Sequence, residues 1–158
     1  MKSGTQDGRG DQMIYIKFKK LTSTATTPTK GSQEAAGFDL YADTTTNIYI
    51  KPGEIRTIQT GISAEIPPGY FGGVYARSGI STNRGLTLIN GVGIVDSDYR
   101  GGICVPLINL SKSTQMIKAH ERVGQLVVQP FADVRLYEVA ELSETDRGSG
   151  GFGSTGRL

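Results

Sequence analysis

Apolar residues along this chain fall in short runs rather than long stripes, and most runs are closed by glycine, proline or asparagine. The segment MIYIKFKKL at 13–21 alternates, which puts Ile14, Ile16 and Phe18 on one face of a strand. Residues 22–32 are rich in threonine and read as a loop. Further strands are predicted over 38–42, 48–51, 55–62 and 71–76, with Pro52-Gly53 and Pro67-Pro68-Gly69 as turn punctuation. The pattern continues over 86–95, 102–109, 115–118 and 121–131, the last a long buried strand. No 3.6-residue apolar periodicity extends over two turns, and residues 82–88 have room for one helical turn at most. Short strands at regular spacing predict an all-β sandwich, jelly roll or barrel.

Composition narrows the classes of function. At 158 residues the chain suits one domain with a substantial core. Its net charge is only +2, with no basic stripe and no interleaving of aromatic and basic residues, which excludes nucleic acid as the main partner. No apolar run is long enough to cross a bilayer, so no membrane partner is expected. The N-terminal MKSGTQDGRGDQ lacks the apolar core of a secretory signal, and Asp7 and Asp11 argue against a transit peptide. With Cys104 as the single cysteine, no intrachain disulfide forms and an intracellular setting, cytoplasmic or nuclear, is expected. The expected organisation is a disordered extension over 1–12, a β domain over 13–142 and a flexible arm over 143–158.

The arm carries the first candidate chemistry. Its RGSGGFGSTG (147–156) combines close-approaching backbone N–H groups with Arg147, Phe152, Ser154 and Thr155. That set suits a mobile lid over a ligand with a flat ring and phosphates; a frayed terminus has the same composition. No Lys follows the glycines, so it is not a Walker loop.

A second candidate is NGVGIVDSDYRGGICVP (90–106), which reads as a hairpin with arms 92–95 and 103–105 and acids at its tip. Aspartate is ordinary in turns. Yet Asp96 leaves an apolar arm close to Tyr99, where a carboxylate can orient and deprotonate water while the ring packs on a ligand. Open arms also offer paired main-chain donors and acceptors that match a pyrimidine edge, and Asn90 adds an amide.

Three further segments complete the set. ARSGIS (76–81) puts a guanidinium, a hydroxyl and a permissive backbone in Arg77, Ser78 and Gly79, which suits oligophosphate, although surface arginines in turns are commoner. In AGFDLYAD (36–43), Asp39 faces away from Phe38 and Leu40, either as an exposed edge acid or as a group near a bound cation. In HERVGQLVV (120–128), Gln125 interrupts a buried strand and needs partners. His120, the only histidine, sits in a turn among charged neighbours and is given no catalytic role.

These five segments, in this order, resemble the five motifs of the trimeric dUTP diphosphatases (dUTPases), from about Ala35 to Gly156. The resemblance implies a distorted jelly-roll or β-clip fold and a homotrimer with three interfacial sites and exchanged C-terminal arms. It also implies Mg²⁺-dependent hydrolysis of dUTP to dUMP and pyrophosphate. By position, Asp96 is then the general base, and Tyr99 packs on deoxyribose and excludes a 2′-hydroxyl. Asn90 and the main chain of Gly93, Ile94, Val95 and Cys104 read uracil. Arg77, Ser78, Gly79 and Gln125 hold phosphates. From the arm, Phe152 stacks on uracil while Arg147, Gly153, Ser154 and Thr155 complete the phosphate and base contacts. Asp39 acts through water near the metal or helps position the arm. The chain departs from the family pattern at Ala76, where Pro is frequent, and at His120 and Gly124, where Gly and Ala are frequent. The nearest rivals are a dCTP deaminase, which shares the fold, and a nucleotide-binding scaffold that signals without turnover.

Overall fold

The alternating segments fold into strands arranged as four small sheets in the computed structural model, which describes residues 14–151. In chain order these are β1 (Lys17–Lys20), β2 (Thr29–Lys30), β3 (Phe38–Tyr41), β4 (Ile48–Ile50), β5 (Ile55–Gln59), β6 (Ile62–Glu65) and β7 (Tyr70–Tyr75). One helix, α1 (Ser78–Arg84), follows, then β8 (Leu86–Leu88), β9 (Gly93–Val95), β10 (Cys104–Asn109), β11 (Gln115–Ile117) and β12 (Arg122–Pro130). The largest sheet has the order β2-β3-β12-β7-β9, and β10 lies between β5 and β8 in a second sheet. Pairs β1-β6 and β4-β11 complete the set, all antiparallel. The all-β expectation holds.

Period-2 burial decides what each strand contributes. Along β10, Val105, Leu107 and Asn109 are buried while Cys104, Pro106 and Ile108 are only partly so. In the large sheet Leu40, Val74, Val95 and Leu126 point inward. They meet Ile50, Ile58, Ile66, Leu86, Ile103, Ile117 and Val123 in one core, each fully buried aliphatic contributing about 1.5–3 kcal/mol. Asn109 is, like Thr60, fully buried; its side chain donates to Ile50 O and Ser113 O and accepts from Ser111, so nothing in it is left unpaired.

Several boundaries differ from the sequence reading. The expected strand at 55–62 is broken at Thr60-Gly61, where Gly61 takes φ +64°, and its halves join different sheets. The expected strand at 86–95 is likewise split by a turn containing Gly91 at φ +70°. The threonine-rich loop contains β2. A helix forms over Ser78–Arg84, earlier and longer than the single turn foreseen at 82–88, and ends at Gly85 in the left-handed region, φ 68°. Its one buried residue is Ile80, which is why no apolar stripe announced it. The strand foreseen at 13–21 is laddered only over β1, whose residues are all exposed.

The largest correction concerns the hairpin at 90–106. Its arms do not pair with one another: β9 ladders onto β7, and β10 ladders onto β5 and β8. β9 is therefore an edge strand with one side free. On β10, Ile103 donates to Ile62 O on the β5–β6 side, so alternation turns the Cys104 main chain toward the space between the arms.

Candidate functional site

One face of the large sheet carries Asp39, Gln125, Ile94 and Asp96, with Arg77 and Ser78 at its end. Directly paired residues of antiparallel strands point to the same side. The register Thr29–Asp39–Gln125–Tyr75 therefore forms one outward row, and Val127–Gly73–Ile94 the next. The opposite face is the core. Tyr75 lies along the sheet to donate to Gln129 Oε1 at 2.9 Å, and only a glycine at 73 admits it, since a Cβ there would be 2.5 Å from the ring.

At one end of this face is a cleft of about 380 Å³ lined by Asp39, Arg77, Ser78, Arg122 and Gln125. Arg77 is extended (φ −90°, ψ 132°) between the end of β7 and α1, and its Nε donates to Asp39 Oδ1 at 2.8 Å. Arg122 Nη1 donates to the other carboxyl oxygen at 3.2 Å. Asp39 is thus 7 % exposed and doubly paired rather than an exposed edge acid. Gln125 Nε2 donates to Ala76 O at 3.1 Å, which resolves how a strand amide is satisfied. Ser78 and Gly79 occupy the first helical turn, where main-chain N–H groups lack helical acceptors, and a Cβ at Gly79 would meet nothing within 4 Å. The cleft offers two guanidinium groups, a hydroxyl and an accessible backbone. Its chemistry suits an oligophosphate.

The other end of the face holds Asp96, exposed just past β9. The register brings it level with Phe71, and both line a hollow of about 270 Å³ with Ile94 and Phe131. Phe71 and Phe131 meet edge to face with centroids 6.5 Å apart. Asp96 O accepts from Tyr99 N at 3.1 Å, which closes the turn and sets the phenol near the carboxylate's segment. Tyr99 Oη donates to Gly102 O at 3.2 Å, and Arg100 Nη1 braces the tip through Ser97 O at 2.7 Å and Tyr99 O at 2.9 Å. Asn90 is exposed at the mouth of the arms, beside the edge strand of Gly93, Ile94 and Val95. Cys104 turns its thiol to Gln59 Oε1 at 3.0 Å, leaving its main chain as the contact on offer.

Within one chain these two groups do not meet. Asp96 stands level with Phe71, while Arg77 lies six residues further along, roughly 20 Å at strand rise. Arg147 is exposed and bonds within its own turn, to Gly150 O at 2.9 Å. Phe152, Gly153, Ser154 and Thr155 lie outside the described residues. Residues 131–149 are exposed and carry no strand, so the chain leaves the sheet directly after β12. Arg122 was not singled out from the sequence, because in a regular strand it and Gln125, three positions apart, face opposite sides.

Comparison with known proteins bears on the family and the fold. A family model described as dUTPase matches residues 23–156. The deoxyuridine 5'-triphosphate nucleotidohydrolase of Nautilia profundicola is 46 % identical over 144 residues, covering 91 % of this chain and 100 % of that protein. A Staphylococcus bacteriophage 80alpha dUTPase solved with dUpNHpp superposes with TM-score 0.78 at 26 % identity, covering 90 % of this chain and 98 % of that one. A dUTPase from a phage of S. aureus, described with a structural Mg(II) ion, shares the fold at TM-score 0.74 and 22 % identity, over 82 % of this chain and 99 % of that one.

Proposed function

The chain belongs to the dUTPase family, and from that membership we propose that it converts dUTP and water to dUMP and pyrophosphate, by attack of water on the α-phosphorus. One observation carries the reading. A single sheet face presents an arginine-walled cleft and, about 20 Å along β7, an exposed carboxylate beside an open edge strand.

A base must lie within hydrogen-bond reach of the water it activates, so Asp96 of one copy has to serve the cleft of another. A homotrimer with interfacial sites meets that need. One subunit supplies the 90–106 arms, a second supplies Arg77, Ser78, Gly79 and Gln125, and a third supplies Arg147 and the segment beyond it. Asp96 orients the water and accepts its proton as oxygen attacks phosphorus and pyrophosphate leaves. The main-chain groups of Gly93, Ile94 and Val95 that β7 leaves unpaired, the main chain of Cys104 and the Asn90 amide read the uracil edge, and the narrow gap between the arms rejects thymine's methyl group. Tyr99 packs on deoxyribose, where a 2′-hydroxyl has no room. Phe152 covers the base; Arg147, Gly153, Ser154 and Thr155 close over the phosphates.

Mg²⁺ would be held mainly by the substrate's phosphate oxygens and by water, the ligands this ion commonly keeps at nucleotide sites. When bound, it neutralises phosphate charge and polarises the phosphorus. The two guanidinium groups on Asp39 suit an anion rather than a cation, which favours a positioning role for Asp39 over water-mediated metal contact. In a cell the reaction keeps dUTP low, so that polymerases do not insert uracil, and supplies dUMP for thymidylate synthesis.

Asp96→Asn tests the assignment of the base. The variant is expected to bind dUTP as the parent does while kcat falls by about 100-fold or more. Parental turnover in that variant would remove Asp96 from the role.

A further inference from the structure

Arg122 owes its direction to an irregularity in β12. The register runs Arg122↔Tyr41, then Gly124↔Leu40 and Gln125↔Asp39, so one extra residue is accommodated between Arg122 and Gly124. In a regular strand Arg122 and Gln125 would face opposite sides. The bulge brings both to the outer face and re-aims Arg122 at the cleft, the effect such insertions have beside functional sites. Asp39 then bridges the two arginines through separate oxygens, Arg77 Nε at 2.8 Å and Arg122 Nη1 at 3.2 Å. The carboxyl group is nine-tenths buried, whereas the Arg122 side chain is half exposed, with guanidinium nitrogens left over toward the cleft.

We propose that Arg122 is a second cationic contact for the substrate's polyphosphate, delivered by the β12 bulge, and that Asp39 is a positioning residue that fixes the spacing of Arg77 and Arg122. This rests on the dUTP reading above. Asp39 touches no nucleotide in this scheme. It holds two like charges together before the anion arrives, and its own charge leaves the cleft with a net single positive charge from the three groups, enough to attract phosphate while still releasing product.

Binding of dUMP, of an imido analogue of dUTP and of inorganic tripolyphosphate is measured by calorimetry for the parent, Arg122→Gln, Arg122→Lys and Asp39→Asn, alongside kcat and KM. Arg122→Gln is expected to weaken the imido analogue and tripolyphosphate by about tenfold or more, the scale of a lost charge-assisted contact, with dUMP affinity changed less than about twofold. Arg122→Lys recovers part of that loss. Asp39→Asn shows the same selective loss, and the Asp39→Asn/Arg122→Gln double variant adds little to either single change. Equal weakening of dUMP and the triphosphate by Arg122→Gln, or no weakening of either, overturns the proposal. Should the parent fail to hydrolyse dUTP while Arg122→Gln still weakens tripolyphosphate, the anion contact stands and the substrate reading falls.

Discussion

At the scale of single residues, two backbone positions explain details that chemistry alone does not. His120 adopts φ 57°, in the left-handed region that penalises a side chain, with its Nδ1 2.9 Å from Thr26 Oγ1. That conformation accounts for the frequent glycine at this place in the family pattern the chain resembles. His120→Gly and His120→Ala both lose the Thr26 contact, so their comparison isolates the backbone; the glycine variant is expected to be more stable by about 1 kcal/mol in denaturant unfolding. Gly61 is less negotiable. It sits at φ 64°, and a Cβ there would stand 2.7 Å from Ala25 Cβ and collide with the Asp43 carboxyl group, which is held by Thr22 at 2.6 Å and Thr24 at 2.7 Å. Gly61→Ala should cost about 2 kcal/mol or more, seen as a lowered melting temperature, and an unchanged melt would mean the 22–25 loop yields freely. The chemical residues were legible because side-chain type and spacing carry them: Arg77 with Ser78, Asp96 with Tyr99, Gln125 inside an apolar run. Arg122 was not, since only the bulge brings it to the Asp39 side.

At the scale of elements, local pattern predicted strands well and their partners poorly. Alternation and turn residues located β3, β7, β10 and β12 to within a residue or two at each end. The splits at Gly61 and Gly91 escaped notice because one glycine in an apolar stretch does not announce a change of sheet. Pairing is non-local, so the arms of the 90–106 segment looked like partners when each belongs to a different sheet. Because the arms do not pair with one another, one side of β9 keeps its main-chain donors and acceptors uncommitted, the feature that the proposed base contact uses. The same division applies to the C-terminal arm. Removal of 148–158 takes away no described strand, and none of its described residues, 148–151, is buried. The truncated protein is expected to melt within a few degrees of the parent and to retain less than about a tenth of its kcat/KM, the loss expected when groups closing over the substrate are removed. Full activity after truncation would refute the lid.

At the scale of the whole molecule, the sheet works as a platform whose inner face is core and whose outer face presents two incomplete half-sites. In the proposed reading neither the exposed Asp96 nor the arginine cleft accomplishes hydrolysis alone, and their separation along β7 is the reason association and catalysis are linked in this account. That linkage predicts activity restored by mixing: subunits carrying Asp96→Asn and subunits carrying Arg77→Gln, each inactive alone, should regain a fraction of parental turnover after co-refolding. No recovery would argue that both groups act within one subunit. The central claim, a uracil- and deoxyribose-selective diphosphatase, is tested most directly by pyrophosphate release from dUTP, dCTP, dTTP and UTP in parallel, with Mg²⁺ and with chelator. The account predicts release from dUTP alone, abolished by chelator. Release from dCTP or UTP at a comparable rate, or ammonia from dCTP with silence on dUTP, would contradict it.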